Sequence, residues 1–172
     1  GAGDEAIKSL VDGTLANLSA LWVARNRLLP PAAEGGGAEQ DGLAAAMQDR
    51  GIRQVKVLVS ELAHYSIRKA AGVLGLGSGA VVPIAVDREN RVDLQALNDA
   101  LEAFGRDPRT AVMAVVGIAG TTETGSVDPL GAMADLCREH STHFHVDAAW
   151  GGPVLLSAQY RVLLEGIRRA DS

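Results

Sequence analysis

The 172-residue sequence has one cysteine, three lysines and no long apolar run. A lone Cys137 cannot form an internal disulfide, and a reducing, cytoplasmic setting is expected. Lys8, Lys56 and Lys69 lie far apart, the arginines are scattered and the net charge is −5, so no basic block is left for a nucleic-acid partner. No stretch reaches the roughly 20 apolar residues of a membrane helix, and none reads as a signal peptide. Internal repeats, a clear domain linker and a metal-ligand pattern are missing too, so one metal-free domain is the expectation. What is there is 47% hydrophobic and 22% charged, the composition of a globular protein with a real core.

Hydrophobic spacing sets the elements. Leu15, Leu18, Leu21, Trp22 and Val23 recur at close to helical spacing and predict a buried helix over 14–29, stopped by Pro30-Pro31. A glycine-rich loop at 34–37 precedes a short helix over 42–50. Strands are predicted over 55–59, 80–86, 111–118 and 143–146, and helices over 64–74, 93–104 and 129–140. Asp93 reads as the cap of its helix, and Asp128-Pro129 as another start with Asp128 capping and proline at the first helical position. Cys137 falls within the last helix and reads as a small core residue. Strands alternating with helices of this length predict βαβ crossovers. The fold class is α/β, with a mainly parallel sheet and helices on both faces.

Ligands of such folds bind beyond the C-terminal ends of the strands. There the chain reads His143-Phe144-His145-Val146-Asp147-Ala148-Ala149-Trp150-Gly151-Gly152. A carboxylate is delivered by Asp147, and the small residues after it leave room for something flat and bulky. A cap for a following helix is the other, less favoured reading of Asp147. Gly13-Thr14 opens the first helix, where free N–H groups, the positive end of the helix dipole and a hydroxyl favour a phosphate; a plain capping role for Thr14 is the other reading. His64 directly follows a strand and is placed at the start of a helix, where a solvated polar residue is the ordinary case. Thr121 follows the strongly apolar strand at 111–118.

Read together, Asp12-Gly13-Thr14-Leu15-Ala16-Asn17-Leu18, Ala63-His64-Tyr65-Ser66, Gly120-Thr121-Thr122-Glu123-Thr124-Gly125 and the Asp147 segment resemble, in that order, a known family. It is the pyridoxal-phosphate-dependent amino acid decarboxylases of the group with glutamate, aspartate, cysteine sulfinate and aromatic amino acid decarboxylases. The resemblance runs from about Asp12 to Ser172. It implies part of the large domain of the fold type I, aspartate aminotransferase-like architecture, with pyridoxal 5'-phosphate as cofactor. It also implies roles. Gly13 and Thr14 would hold the phosphate, His64 would stack on one face of the pyridine ring and Ala149 would press on the other. Thr121 would hydrogen-bond the ring oxygen or the substrate carboxylate. Asp147 would favour the protonated ring nitrogen, and the ring would then take up the electron pair left by departing carbon dioxide. The family usually has Ser-Gly-Gly-Thr at the first motif, where this chain has Val11-Asp12 in place of Ser-Gly. Trp150-Gly151-Gly152 looks like the acidic-substrate branch, which implies a substrate such as glutamate or aspartate, and the resemblance to the family as a whole implies a homodimer as the working form.

Such enzymes need a lysine whose amine forms a Schiff base with the aldehyde. None of Lys8, Lys56 and Lys69 stands at the family's position. The run from Leu164 to Ser172 resembles the stretch that leads, in these decarboxylases, into a His-Lys pair. The expectation is a partial cofactor-binding domain over residues 1–172, without the lysine segment and the C-terminal small domain, and inactive alone. An aminotransferase or other lyase of the same fold is the enzymatic alternative. A non-catalytic interaction module, associating through an exposed sheet edge, is the other.

Overall fold

The structure, a computed structural model, describes residues 13–32 and 35–172. Lys8, Val11 and Asp12 of the sequence reading, and part of the 34–37 loop, lie outside the described residues. Helix α1 (Gly13–Leu28) ends two residues before Pro30, which supplies no N–H and disfavours helical backbone before it. Its buried residues are Asn17, Ala20, Leu21 and Ala24, one stripe at helical spacing. Leu15 and Trp22 are 47% and 43% exposed, which corrects the expectation of a helix buried on its large apolar side chains. Small residues on the inner stripe let the helix come close to the sheet, and one position in that stripe is polar.

Two short helices, α2 (Gly37–Gln40) and α3 (Leu43–Asp49), follow and bury Leu29, Ala38 and Ala46 in a small satellite core. The alternating part of the chain then runs β1 (Gln54–Ser60), α4 (Ser66–Val73), β2 (Val81–Ile84), α5 (Leu94–Gly105), β3 (Thr110–Ile118), α6 (Leu130–Glu139) and β4 (His143–Asp147). The four strands form one sheet in the order β2-β1-β3-β4, with every pairing parallel. At Met113 a bulge in β3 shifts the register, so that Lys56 pairs with Val112 but Val57 with Ala114. Elsewhere side chains alternate between two cores. Val57, Val59 and Val116 meet Leu21 of α1 and Ile67 of α4, while Leu58, Val115 and Phe144 meet Leu97 of α5 and Met133 and Cys137 of α6. Burying each large side chain of this kind contributes roughly 1.5–3 kcal/mol.

Asp93 caps α5 as expected, accepting from Gln95 N at 2.8 Å and Ala96 N at 3.1 Å. Asp128 does not cap α6. Pro129 occupies the N-cap position, and the buried Asp128 carboxylate instead accepts from Val92 N and Ile118 N, both at 2.8 Å. Two unpaired backbone donors at the end of β3 and in the neighbouring loop outcompete the helix terminus for it. Burial pushes its pKa up, against the pull of those two N–H groups. On β4, Phe144 and Val146 enter the α5–α6 core, and His143, His145 and Asp147 turn to the side of α1. Beyond β4 the chain makes short 3-10 turns and returns beside this strand, with Asp171 N donating to Phe144 O at 2.7 Å and Val146 N donating to Ser172 O at 2.9 Å.

Candidate active site

The loops that follow β1, β3 and β4 meet the first turn of α1 at the C-terminal edge of the sheet, around a cavity of about 260 Å³. All six residues singled out from the sequence line it: Gly13, Thr14, His64, Thr121, Asp147 and Ala149. Contacts between the loops explain the glycines. A Cβ at Gly13 would stand 2.9 Å from the Ala149 Cβ, and one at Gly151 would fall 2.1 Å from the Ala119 carbonyl oxygen, which accepts the Gly151 N–H. Gly120 has φ +98°, where a side chain is strained, and a Cβ there would also meet Trp150 at 2.9 Å. The strand end, the Thr121 loop and the Trp150 segment are thus closed on one another without room for larger residues.

Asp147 is 9% exposed at the end of β4. Its Oδ2 accepts from Asn17 Nδ2 at 2.8 Å and its Oδ1 from Ala149 N at 3.1 Å. Asp147 does not cap a helix: the one backbone N–H its carboxylate receives is that two residues on, in a turn, and the group opens on the cavity. His64 lies in the loop two residues before α4, not within it, since the helix begins at Ser66. Its Nδ1 sits 2.9 Å from Ser66 Oγ, its ring is 4.1 Å from that of Tyr65, and the residue is exposed on the cavity side of the sheet. Thr121 is 2% exposed, and its hydroxyl is bonded to Thr124 Oγ1 at 2.6 Å and Ser126 Oγ at 3.1 Å; Ser126 in turn donates to Asn90 O.

Sequence reasoning missed Asn17, Ser66 and His145. Asn17, 3% exposed, donates to both Asp147 and Ser66, and its oxygen faces His145 Nε2 at 2.9 Å. The signal was present as one amide in the otherwise apolar stripe of α1. His145 was legible too, since residues 143, 145 and 147 must share a strand face. Burial pulls the His145 imidazole below its ordinary pKa, and the same cause lowers His143 to about 4.

The donor set fits a flat, phosphorylated heteroaromatic group. A carboxylate held by two N–H donors suits a protonated ring nitrogen, a helix start carrying glycine and threonine suits a phosphate, and Ala149 against Gly13 gives a small flat wall. Neither Lys56, whose amine lies 5.9 Å from the Phe104 ring centre, nor Lys69 on α4 lines the cavity. Among the described residues no helix is long and apolar enough to cross a membrane.

Comparison with known proteins points the same way. The pyridoxal-dependent decarboxylase conserved domain matches residues 11–172. Aspartate 1-decarboxylase of Aliivibrio fischeri is 48% identical over 160 residues, 93% of this chain and 29% of that protein. Cysteine sulfinic acid decarboxylase of Mus musculus is 40% identical over 163 residues, 93% of this chain and 30% of that protein. The crystal structure of mouse CSAD superposes with a TM-score of 0.83 at 36% identity, covering 94% of this chain and 32% of that one. The chain therefore spans about three-tenths of the length of these relatives.

Proposed function

Because the chain belongs to the pyridoxal-dependent decarboxylase family, we propose that it is the cofactor-binding part of a pyridoxal-phosphate-dependent decarboxylase acting on an acidic L-amino acid. The observation that carries this reading is the buried Asp147 carboxylate, fixed by two N–H donors and opening on a cavity at the C-terminal edge of a parallel sheet. The acidic substrate is supported by the aspartate and cysteine sulfinic acid decarboxylases among the relatives, and by Trp150-Gly151-Gly152 after the aspartate.

When bound, pyridoxal phosphate supplies an electron sink for the pair left by the departing carboxylate. In this reading the residues of the chain bind and orient. Gly13 and Thr14 hold the phosphate at the positive end of α1. Asp147 holds the proton at the pyridine nitrogen, while Asn17 and the Ala149 N–H keep the carboxylate from turning away. Ala149 and the His64 imidazole bracket the ring. With Nδ1 committed to Ser66, Nε2 of His64 is the atom left to move a proton. The Thr121 hydroxyl, braced by Thr124 and Ser126, offers a hydrogen bond at the rim, and Leu62, Ile118 and Trp150 supply apolar wall that excludes water.

We place the aldehyde-bonding lysine and the C-terminal small domain in other parts of a longer enzyme; this is supported by the lack of any lysine lining the cavity among the described residues and by the chain spanning about three-tenths of its relatives' length. A homodimer is the proposed working unit, supported by the apolar side chains that Leu156, Val162 and Leu163 expose beyond β4. The lone, buried Cys137 supports a reducing, cytoplasmic setting. The test is carbon dioxide release from L-aspartate, L-glutamate and L-cysteine sulfinate by the full-length protein with pyridoxal phosphate. Release that is lost in Asp147→Ala supports the reading. Amino-group transfer without carbon dioxide, or a full-length protein that does not take up the cofactor, overturns it.

A further inference from the structure

Beneath the cavity, a file of polar side chains runs between α1 and β4, through the interior, to the Arg27 end of the helix. Its hydrogen atoms can be assigned from chemistry alone. Asn17 points one end of its amide at Asp147 Oδ2 (2.8 Å) and Ser66 Oγ (3.0 Å), and the other at His145 Nε2 (2.9 Å). Flipping the amide would set a carbonyl oxygen against the carboxylate, so the NH₂ faces Asp147 and the oxygen faces His145. His145 Nε2 must then carry a hydrogen. Its Nδ1 lies 3.0 Å from the Ser172 carbonyl oxygen and 3.1 Å from Ser172 Oγ. In a neutral ring whose one hydrogen is on Nε2, Nδ1 is an acceptor and cannot bond the carbonyl, which accepts from Val146 N at 2.9 Å, so the Ser172 hydroxyl donates to Nδ1. Having spent its one hydrogen, Ser172 Oγ accepts from His143 Nε2 at 2.9 Å, and His143 Nδ1 accepts from Arg27 at 3.3 Å.

We propose that Arg27, His143, Ser172, His145 and Asn17 form a one-directional hydrogen-bonded relay ending on Asp147, in which both histidines are neutral Nε2–H tautomers and Asn17 is the positioning residue for the carboxylate. Each hydrogen placed between neighbours in the file has an acceptor. No buried side-chain nitrogen or oxygen among the described residues lacks a partner. The charged groups that face the histidines are Arg27 on α1, Asp171 on the returning segment, 4.0 Å from His143 Nδ1, and Asp147 on β4 itself. Burial opposes protonation of both rings, in keeping with the neutral tautomers. The role assigned to Asn17 rests on the reading of Asp147 as partner of the cofactor ring; the hydrogen assignments do not.

The test has two arms in the full-length protein. With the cofactor removed and histidine ¹⁵N-labelled, spectra assigned by His143→Gln and His145→Gln should show both rings as Nε2–H tautomers, unchanged between pH 6 and pH 8. An imidazolium or an Nδ1–H tautomer at His145 would overturn the relay, since Nδ1 would then donate to the Ser172 carbonyl. In the second arm, pyridoxal phosphate affinity is measured for Asn17→Leu, His145→Phe and His145→Gln. Loss of a hydrogen bond to a charged group predicts about tenfold or more weaker binding for Asn17→Leu. His145→Phe should be weakened as well, with substantial rescue in His145→Gln, whose amide can still donate to Asn17. Wild-type affinity in Asn17→Leu beside weakened Asp147→Ala would sink the positioning role while leaving the proposed function intact. Wild-type affinity in Asp147→Ala would sink the functional reading and the positioning role with it. Should Asn17→Leu fail to fold, the Phe–Gln comparison at position 145 decides: equal affinities refute the relay.

Discussion

His143 offers a prediction that can be followed from burial to an unfolding curve. Its side chain is 5% exposed on β4, and burial lowers its pKa from 6.5 to about 4, with Asp171 opposing and Arg27 and His145 assisting. The folded state therefore resists a proton that the unfolded chain accepts. Wherever the unfolded state binds more protons, stability rises with pH, so this residue costs nothing above its unfolded value of 6.5 and destabilises progressively as pH falls towards 4. At pH 5 the cost is about 2 kcal/mol for that pair of values, approaching about 3 kcal/mol at pH 4. The lowered carboxylates Asp87, Asp107 and Asp135 lose their stabilisation only below the ordinary carboxylate value of 3.8, outside this window. Asp128 is raised, so it acts in the opposite sense, gaining stability as pH falls and partly offsetting the histidines near pH 4. The assay is urea unfolding at pH 7.5 and pH 5.0 for wild type and His143→Gln. The wild type should lose more between the two pH values, by about 2 kcal/mol relative to the variant. Equal pH dependence in the two proteins would refute the argument from burial.

On the proposed function, Asp147→Ala in the full-length protein should reduce turnover by on the order of 10²-fold or more, against less than about tenfold for Thr14→Ala, which is proposed as one of several phosphate contacts. Equal losses in steady-state assays would reduce Asp147 to a structural role. His64→Phe should keep cofactor affinity within about tenfold while turnover drops on the order of 10²-fold, because the ring survives and the proton does not. Unchanged turnover would leave His64 as a stacking platform. Gly151→Ala should cost about 1–3 kcal/mol in thermal or urea unfolding, since its Cβ would overlap the Ala119 carbonyl oxygen at 2.1 Å; a neutral effect would mean that the loop relaxes freely. Cys137, 2% exposed and with its thiol pushed up to about 12, should resist thiol reagents at pH 8 until the chain unfolds, and fast labelling would contradict its burial.

Much of this architecture is legible in the residues. The apolar runs at 55–59, 111–118 and 143–146 became three adjacent strands because parallel strands are covered on both faces and so read as continuous hydrophobic stretches. The six expected site residues converge because each stands at or just beyond the end of a strand or at the mouth of α1. What failed did so where one backbone or side chain had a choice of partners. Asp128 stands before a proline and a helix, as a cap would, yet two N–H groups distant in sequence claim it. Leu15 and Trp22 were assigned to the core on spacing alone, although the buried stripe of α1 lies on Asn17, Ala20, Leu21 and Ala24. Asn17, the one amide in an otherwise apolar stripe, marks a buried polar contact, but the sequence does not name its partners, 49 and 130 residues away.

That last separation bears on how the protein comes to exist. Asn17 belongs to the first described helix and Asp147 to the last strand, so the pair cannot form until β1, β3 and β4 have assembled in register. Contacts so distant along the chain carry a large loop-closure cost and slow folding. During synthesis Asn17 must therefore wait for its carboxylate while more than a hundred residues follow it from the ribosome, although Leu21 of the same helix can already meet β1 and α4. The cavity is consequently a reporter of completed folding: intermediates that have collapsed around β1 and α4 alone would have no site, and the gain of cofactor affinity during refolding should trail the gain of helical signal.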